Sequence, residues 1–230
     1  MNNVLVVAAH PDDELLGVGG TIRLLVNEGV SAHALILAEG LTSRKTCRDE
    51  TSKEELLQLQ KNALAASKEV GYASVDFCGF PDNRMDEVDL LDIVKVISAY
   101  IEKYNPDTIF THHHGDLNID HQKTCEAVLI ACRPVGEYSV KRIYAFETPS
   151  STEWNFRYVE PFCPNVFFDV TDTLEAKVRG LDCYKSESAQ YPHPRSPEAL
   201  RALGRYRGSN VGVMFSEGFE LLREIVVNSK

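Results

Sequence analysis

The sequence predicts an α/β fold: a Rossmann-like, mostly parallel sheet flanked by helices in a single domain. Three observations predict it. Continuous apolar runs such as Val4-Leu5-Val6-Val7-Ala8-Ala9 read as strands covered on both faces, as in a buried parallel sheet. Amphipathic helical stretches alternate with those runs, which is the βαβ rhythm of an open sheet. The 230 residues, 43% of them hydrophobic, can bury one core, and no repeat, low-complexity tract or linker divides them.

The elements follow in order. A strand over 4–9 leads into a helix over 12–28, with acidic residues in its first turn and Gly29 as its stop. A strand over 31–38 precedes the loop Glu39 to Arg44, and an amphipathic helix over 54–70 ends at Gly71. A short strand over 74–78 runs into the turn-rich segment Gly79-Phe80-Pro81-Asp82-Asn83-Arg84. A helix over 89–104, a strand over 107–111, a helix over 121–132 and a strand over 141–147 complete a core of 1–147. From 148 to 230 the order changes, and this more irregular part is expected to complete the site. It holds an irregular stretch over 150–164, a strand over 165–170, a helix over 171–184 and a proline-rich loop over 188–197. A helix over 197–206 follows, and 215–227 reads as either a helix or a strand.

Composition narrows the partners. The net charge is −10 and no Lys/Arg cluster stands out, which argues against nucleic acid or an anionic membrane as the main partner and says little about a neutral small molecule such as a sugar. No window approaches the roughly twenty apolar residues of a membrane span, so no membrane insertion is expected. The opening Met1-Asn2-Asn3 has no signal-peptide pattern, and the six cysteines contain no CxxC pair. Both point to a cytoplasmic protein with reduced thiols.

The chemistry gathers in two clusters. His10-Pro11-Asp12-Asp13-Glu14 follows the first strand, and His112-His113-His114 through Asp120-His121 follows the strand over 107–111. Ligands of open α/β sheets bind at the carboxyl ends of strands. His10 and Asp13, three apart across a strand-to-helix turn, can face one point, with Asp12 between them outside that coordination position. If the two strands are neighbours, two imidazoles and a carboxylate make a three-ligand zinc site with room for water. Such a site favours metal-assisted hydrolysis, with a nearby Asp as general base. Alone, the acidic run serves equally well as an N-capped helical turn. Alternation prevents the three consecutive histidines from all facing one site.

Ala8-Ala9-His10-Pro11-Asp12-Asp13-Glu14, followed by Gly17 and Gly19-Gly20, resembles the signature of the LmbE-like (PIG-L-type) N-acetylglucosamine deacetylases. The likeness extends to the loop from Gly79 to Asp86, the Asp116–His121 motif and the segment His193-Pro194-Arg195-Ser196. It implies a Rossmann-like fold, with His10, Asp13 and His121 as zinc ligands and Asp12 as general base. Asp120 would be an orienting carboxylate behind the ligands. The activity implied is hydrolysis of an N-acetyl amide on an N-acetylglucosamine-type sugar or conjugate, releasing acetate. Zinc is the expected cofactor, and another divalent ion such as iron(II) suits the same donors. Relatives assemble into multimers, which leaves room for a homo-oligomer.

One position departs from the pattern. Where many relatives carry a histidine that steadies the oxyanion, this chain has Asn118, whose amide N–H can donate but cannot protonate a leaving amine. His193, one of His112–His114 or Asp12 itself is then the candidate proton donor. Arg44, Asp82 and His193 are candidate substrate-binding residues, His193 as a lid closing over the site, and Trp154 is a candidate sugar-stacking wall. Two further readings accompany the deacetylase: a metal-dependent amidase on a non-sugar acyl amide, and a non-catalytic sugar- or nucleotide-binding module.

Overall fold

The computed structural model describes residues 1–44, 51–156 and 160–226, with the side chain of Arg44 outside the described set. Seven strands form one sheet: β1 (Asn3–Ala8), β2 (Ser31–Ala38), β3 (Ser74–Phe80), β4 (Thr108–His112), β5 (Arg142–Phe146), β6 (Val166–Asp169) and β7 (Ser216–Glu224). Their spatial order is β3-β2-β1-β4-β5-β7-β6. The first five pair in parallel, while β7 runs antiparallel to both β5 and β6. Winding therefore reverses between β1 and β4, and a crevice opens at their carboxyl ends.

Strand β1 is buried on both faces. Val4 and Val6 join the cluster containing Leu15, Leu16, Ile22, Leu59, Ala63, Val178 and Leu181. Leu5 and Val7 join the opposite cluster, with Ile93, Ile97, Ile109, Ala127 and Val128. Helices α1 (Asp13–Leu16), α2 (Gly19–Asn27), α3 (Lys53–Val70) and α6 (Leu174–Cys183) cover the first face, and α4 (Leu90–Tyr104) and α5 (Ile119–Ala131) the second. Helix α7 (Pro197–Val211) reaches the first cluster through Leu200.

Local chemistry explains the ends. Ser52 and Glu55 form a reciprocal capping box at α3, and Gly71 ends that helix in the left-handed conformation. Ser196 caps α7 with Pro197 in the first turn, and Gly212 closes it.

Several elements differ from the sequence reading. The expected helix over 12–28 is two helices, because the chain breaks at Gly17 and Val18. Gly17 itself stays helical and lies against Phe146, where an added Cβ would come within 2.2 Å of the ring, while Val18, at φ −145° and ψ 8°, leaves the helical region. Helix α5 starts two residues before the expected position because Asn118 caps it, its side chain accepting from Asp120 N. Helix α7 extends past 206, and the segment that read as helix or strand is β7. Residues 148–226 are less irregular than expected, since β6 and β7 finish the sheet and α6 packs onto it. Among the described residues no helix is long and apolar enough to cross a membrane.

Candidate active site

The two sequence clusters meet in the crevice between β1 and β4. After β1, the turn His10–Asp13 closes on itself: Asp13 N donates to His10 O, and His10 N to Asp13 Oδ2 at 2.8 Å. After β4, Gly115 passes so close to Glu160 O that a Cβ would lie 2.1 Å from it, which only glycine permits. The first turn of α5 then buries Asp120 and His121.

His10 Nδ1, Asp13 Oδ2 and His121 Nε2 face one another. Nitrogen to oxygen is 3.2 Å for each histidine, and the two nitrogens are 3.3 Å apart. Donors 2.0–2.2 Å from a tetrahedral zinc ion are separated by roughly 3.3–3.6 Å, so this triangle fits one face of such a site. Asp13 Oδ1 is also buried without a hydrogen-bond partner among the described residues, an orphan that a cation would relieve. The far nitrogen of each imidazole meets a carboxylate: His10 Nε2 lies 3.0 Å from Asp120 Oδ2 and 3.2 Å from Asp82 Oδ1. His121 Nδ1 lies 3.0 Å from Asp116 Oδ1, off the line of a good hydrogen bond. Carboxylates behind imidazoles in this way orient metal ligands.

The supporting carboxylates are themselves held. Asp120 accepts from Asn83 N at 2.6 Å and Met85 N at 2.9 Å, and Asp116 accepts from the hydroxyls of Ser151 and Thr152. Asp82 accepts from Ser43 N at 2.9 Å.

Asp12 has φ 117°, a left-handed conformation that is costly outside glycine. Glu14 helps hold it there, since Glu14 Oε2 accepts from Asp12 N at 2.9 Å while Tyr184 donates to Oε1 at 2.6 Å. Asp12 Oδ2 receives Arg195 Nη1 at 2.5 Å.

Electrostatics follow from burial and crowding. Burial pushes the Asp12 carboxyl well above the usual range, against the pull of Arg195. Burial acts on Asp13 in the same direction, but His121, His112 and His10 outweigh it and hold Asp13 well below that range. For His121 burial favours the neutral ring, yet Asp13 and Asp116 outweigh it and raise the imidazole to about 9. His10 is raised well above its usual value for the same reason, with Asp120, Asp13 and Asp82 overcoming burial. Without a cation, then, the surrounding carboxylates favour the protonated form of both rings. A divalent ion must displace protons from the rings, so its affinity rises with pH through the range in which they are lost, about 9 for His121. Calorimetric titration of metal-free protein with zinc at about pH 7, in buffers of different ionisation enthalpy, should register proton release. Binding without proton release would contradict this picture of the two rings.

The crevice opens into a cavity of about 120 Å³, whose wall includes His10, Asp12, Asp82, Asn118, His121 and Arg195. A larger cavity of about 910 Å³ lies at the opposite end of the sheet, around Asn2, Asp107 and Cys132, away from these groups. Asn118 Nδ2 donates to Asn83 Oδ1 at 2.8 Å, which leaves its second hydrogen for another acceptor. His193 is absent from the wall; its Nδ1 accepts from Arg195 N at 3.1 Å and its ring meets Trp154 edge-on at 6.2 Å.

The consecutive histidines diverge. His112 Nε2 accepts from Ala9 N and its ring stacks on His121 at 3.9 Å. His113 is buried between Glu220 and the carbonyl of Glu160, and His114 meets Glu160 at the surface. Sequence reasoning assigned no role to Arg195 or Asp116. Both stand inside the quoted motifs, and their only signal was a charged residue in an otherwise turn-forming segment.

Comparison with known proteins fits this picture. A diacetylchitobiose deacetylase of Thermococcus kodakarensis is 26% identical across 99% of this chain and 86% of its own length. A 4-oxalmesaconate hydratase of Pseudomonas putida is 25% identical across 95% of this chain and 88% of its own. The conserved protein TT1542 of Thermus thermophilus shares the fold with a TM-score of 0.78 at 24% identity, covering 99% of this chain and 98% of that one. The family model described as GlcNAc-PI de-N-acetylase matches residues 5–132, from β1 through α5, and so takes in both clusters. The chain belongs to that family, PIG-L, whose named relatives include N-deacetylases.

Proposed function

We propose that this protein is a zinc-dependent hydrolase that removes the N-acetyl group from an N-acetylglucosamine-type sugar conjugate. The observation that carries the reading is the Asp12 carboxylate beside the His10–Asp13–His121 triangle, in a cavity walled by polar side chains. His10, Asp13 and His121 would hold the ion, with Asp120 and Asp116 steadying the imidazoles. Zinc supplies a Lewis acid for the acetyl carbonyl and lowers the pKa of a water to about 7.

Asp12 takes the proton of the attacking water as general base. Its burial, which favours the protonated form, suits it to carry that proton to the leaving amine. Among the described residues the only imidazoles in the wall are His10 and His121, so no other histidine competes for the task. The free N–H of Asn118 is the candidate donor to the oxyanion, a contribution worth about 10²–10³ in rate where such a donor is well aimed. Asp82, Arg44 and His193 remain the candidate substrate contacts, Arg44 for a sugar hydroxyl or an anionic aglycone and His193 as a lid residue.

The hydratase relative brings in a second reading, addition of water to a carbon–carbon double bond. A panel of N-acetylglucosamine conjugates, non-sugar acyl amides and an unsaturated dicarboxylate, tried with the protein loaded in turn with zinc and iron(II), separates the readings. Acetate release from one or more conjugates supports the deacetylase. Release only from non-sugar acyl amides points to an amidase. Loss of conjugated-diene absorbance from an unsaturated dicarboxylate, without acetate release, supports the hydratase.

A further inference from the structure

Arg195 lies outside the residues matched by the family model, in the loop between α6 and α7, immediately before the Ser196 cap. Its guanidinium joins three separate segments. Nη1 reaches Asp12 Oδ2 at 2.5 Å in the turn after β1 and Glu187 Oε2 at 3.2 Å in the loop after α6. Nε donates to Ser150 Oγ at 2.7 Å, beyond the end of β5. The loop that carries it is tied to itself: Arg195 N donates to His193 Nδ1, and Ala189 N donates to Arg195 O. Glu187 is itself buried, so the arginine is gripped from behind.

This arrangement differs from an ordinary ion pair in what it leaves open. Arg195 holds one oxygen of Asp12, while Oδ1 accepts no hydrogen bond among the described residues, and Asp12 lines the cavity beside His10 and His121. A carboxylate pinned at one oxygen cannot swing about its last torsion, so the other oxygen keeps one direction. A buried pair of this kind contributes little net stability. A general base, by contrast, gains from fixed geometry, since a displacement of about 1 Å can cost 10²-fold in rate. Two of the three guanidinium nitrogens are already engaged by protein acceptors, which turns the arginine toward the base rather than toward a substrate anion.

We propose that Arg195, steadied by Glu187 and Ser150, is a positioning residue that fixes the carboxylate of Asp12 for its part in hydrolysis. The inference rests on the deacetylase reading above. It is tested on the full-length, metal-loaded protein with Arg195→Ala, Arg195→Lys, Glu187→Gln and Asp12→Asn, together with the Asp12→Asn/Arg195→Ala double variant. Arg195→Ala should lower kcat for acetate release by about 10–100-fold, with KM within about 2-fold of wild type and metal content unchanged. Methylguanidinium in solution should restore part of the loss. Arg195→Lys should recover less than the full rate, because an ammonium lacks the planar fork that bridges Asp12 and Ser150. Glu187→Gln should move kcat in the same direction by a smaller factor. In the Asp12→Asn background, removing Arg195 should cost nothing further, since the two act as one unit.

A KM rise at constant kcat would make Arg195 a substrate contact and overturn the proposal. So would a loss that adds in full to that of Asp12→Asn, or a wild-type kcat in Arg195→Ala. If Arg195→Ala does not fold, the Lys and Glu187→Gln variants carry the same comparison. If wild-type protein releases acetate from no conjugate, the deacetylase reading fails, and crystal structures decide the positioning claim separately. An Asp12 side chain in a new rotamer in Arg195→Lys or Arg195→Ala supports it, and one unmoved overturns it.

Discussion

Asp12→Asn should keep its metal and its fold yet lose acetate release by about 10²–10⁴-fold, the usual contribution of a positioned general base. Asparagine is the informative replacement. It tolerates positive φ better than alanine does, which matters at a residue held at φ 117°. Its amide oxygen still accepts from Arg195, so the contact at Oδ2 survives, but the amide cannot take up a proton. Metal content measured beside turnover makes the result specific, because Asp12 stands outside the His10–Asp13–His121 triangle. Near-wild-type turnover in a fully loaded variant would remove Asp12 from the base's role. Loss of metal together with activity would place it among the ligands.

His121→Ala should fail at the step before. Losing one of three protein donors should weaken zinc binding by more than the roughly 10–100-fold that follows loss of an outer orienting partner. The effect also reads out without any substrate. In the wild type, metal at about a thousand times its dissociation constant stabilises the fold by about 4 kcal/mol through mass action. That increment, seen as a melting temperature that falls on chelation, should be largely absent from the variant. The metal-free variant also loses the stacking of His121 on His112, so the comparison is made within each protein, with and without chelator. Full zinc occupancy in His121→Ala, with the wild-type response to chelation, would exclude His121 from the ligand set.

What could be read in advance depended on where the determining contacts lie. The run 4–9 was legible as a strand because each of its residues is buried, so nothing polar interrupts it. The meeting of the two clusters was legible because both motifs follow strands that prove adjacent, β1 pairing with β4, while the choice of His121 among the histidines came from the family resemblance. The close approach that requires glycine at position 17 was not legible, since its neighbour Phe146 lies far along the chain. The direction of β7 was equally hidden: a mixed strand between β5 and β6 has an alternation that a helical reading also accommodates. Arg195 went unassigned because its partner Asp12 is 183 residues away, and a lone arginine between a proline and a serine looks like ordinary loop chemistry.

The interleaving of β7 between β5 and β6 has a consequence during synthesis. Strand β6 leaves the ribosome well before β7, and β7 is its neighbour on the sheet. At roughly 5–20 residues per second, the nascent chain spends seconds with β6 unpaired and the outer side of β5 open. An open β5 edge is a template for another chain, and it closes only when β7 arrives. Ribosomes stalled after β6 should therefore hold a chain that already has both metal-ligand motifs yet is prone to pair with its neighbours on the same message.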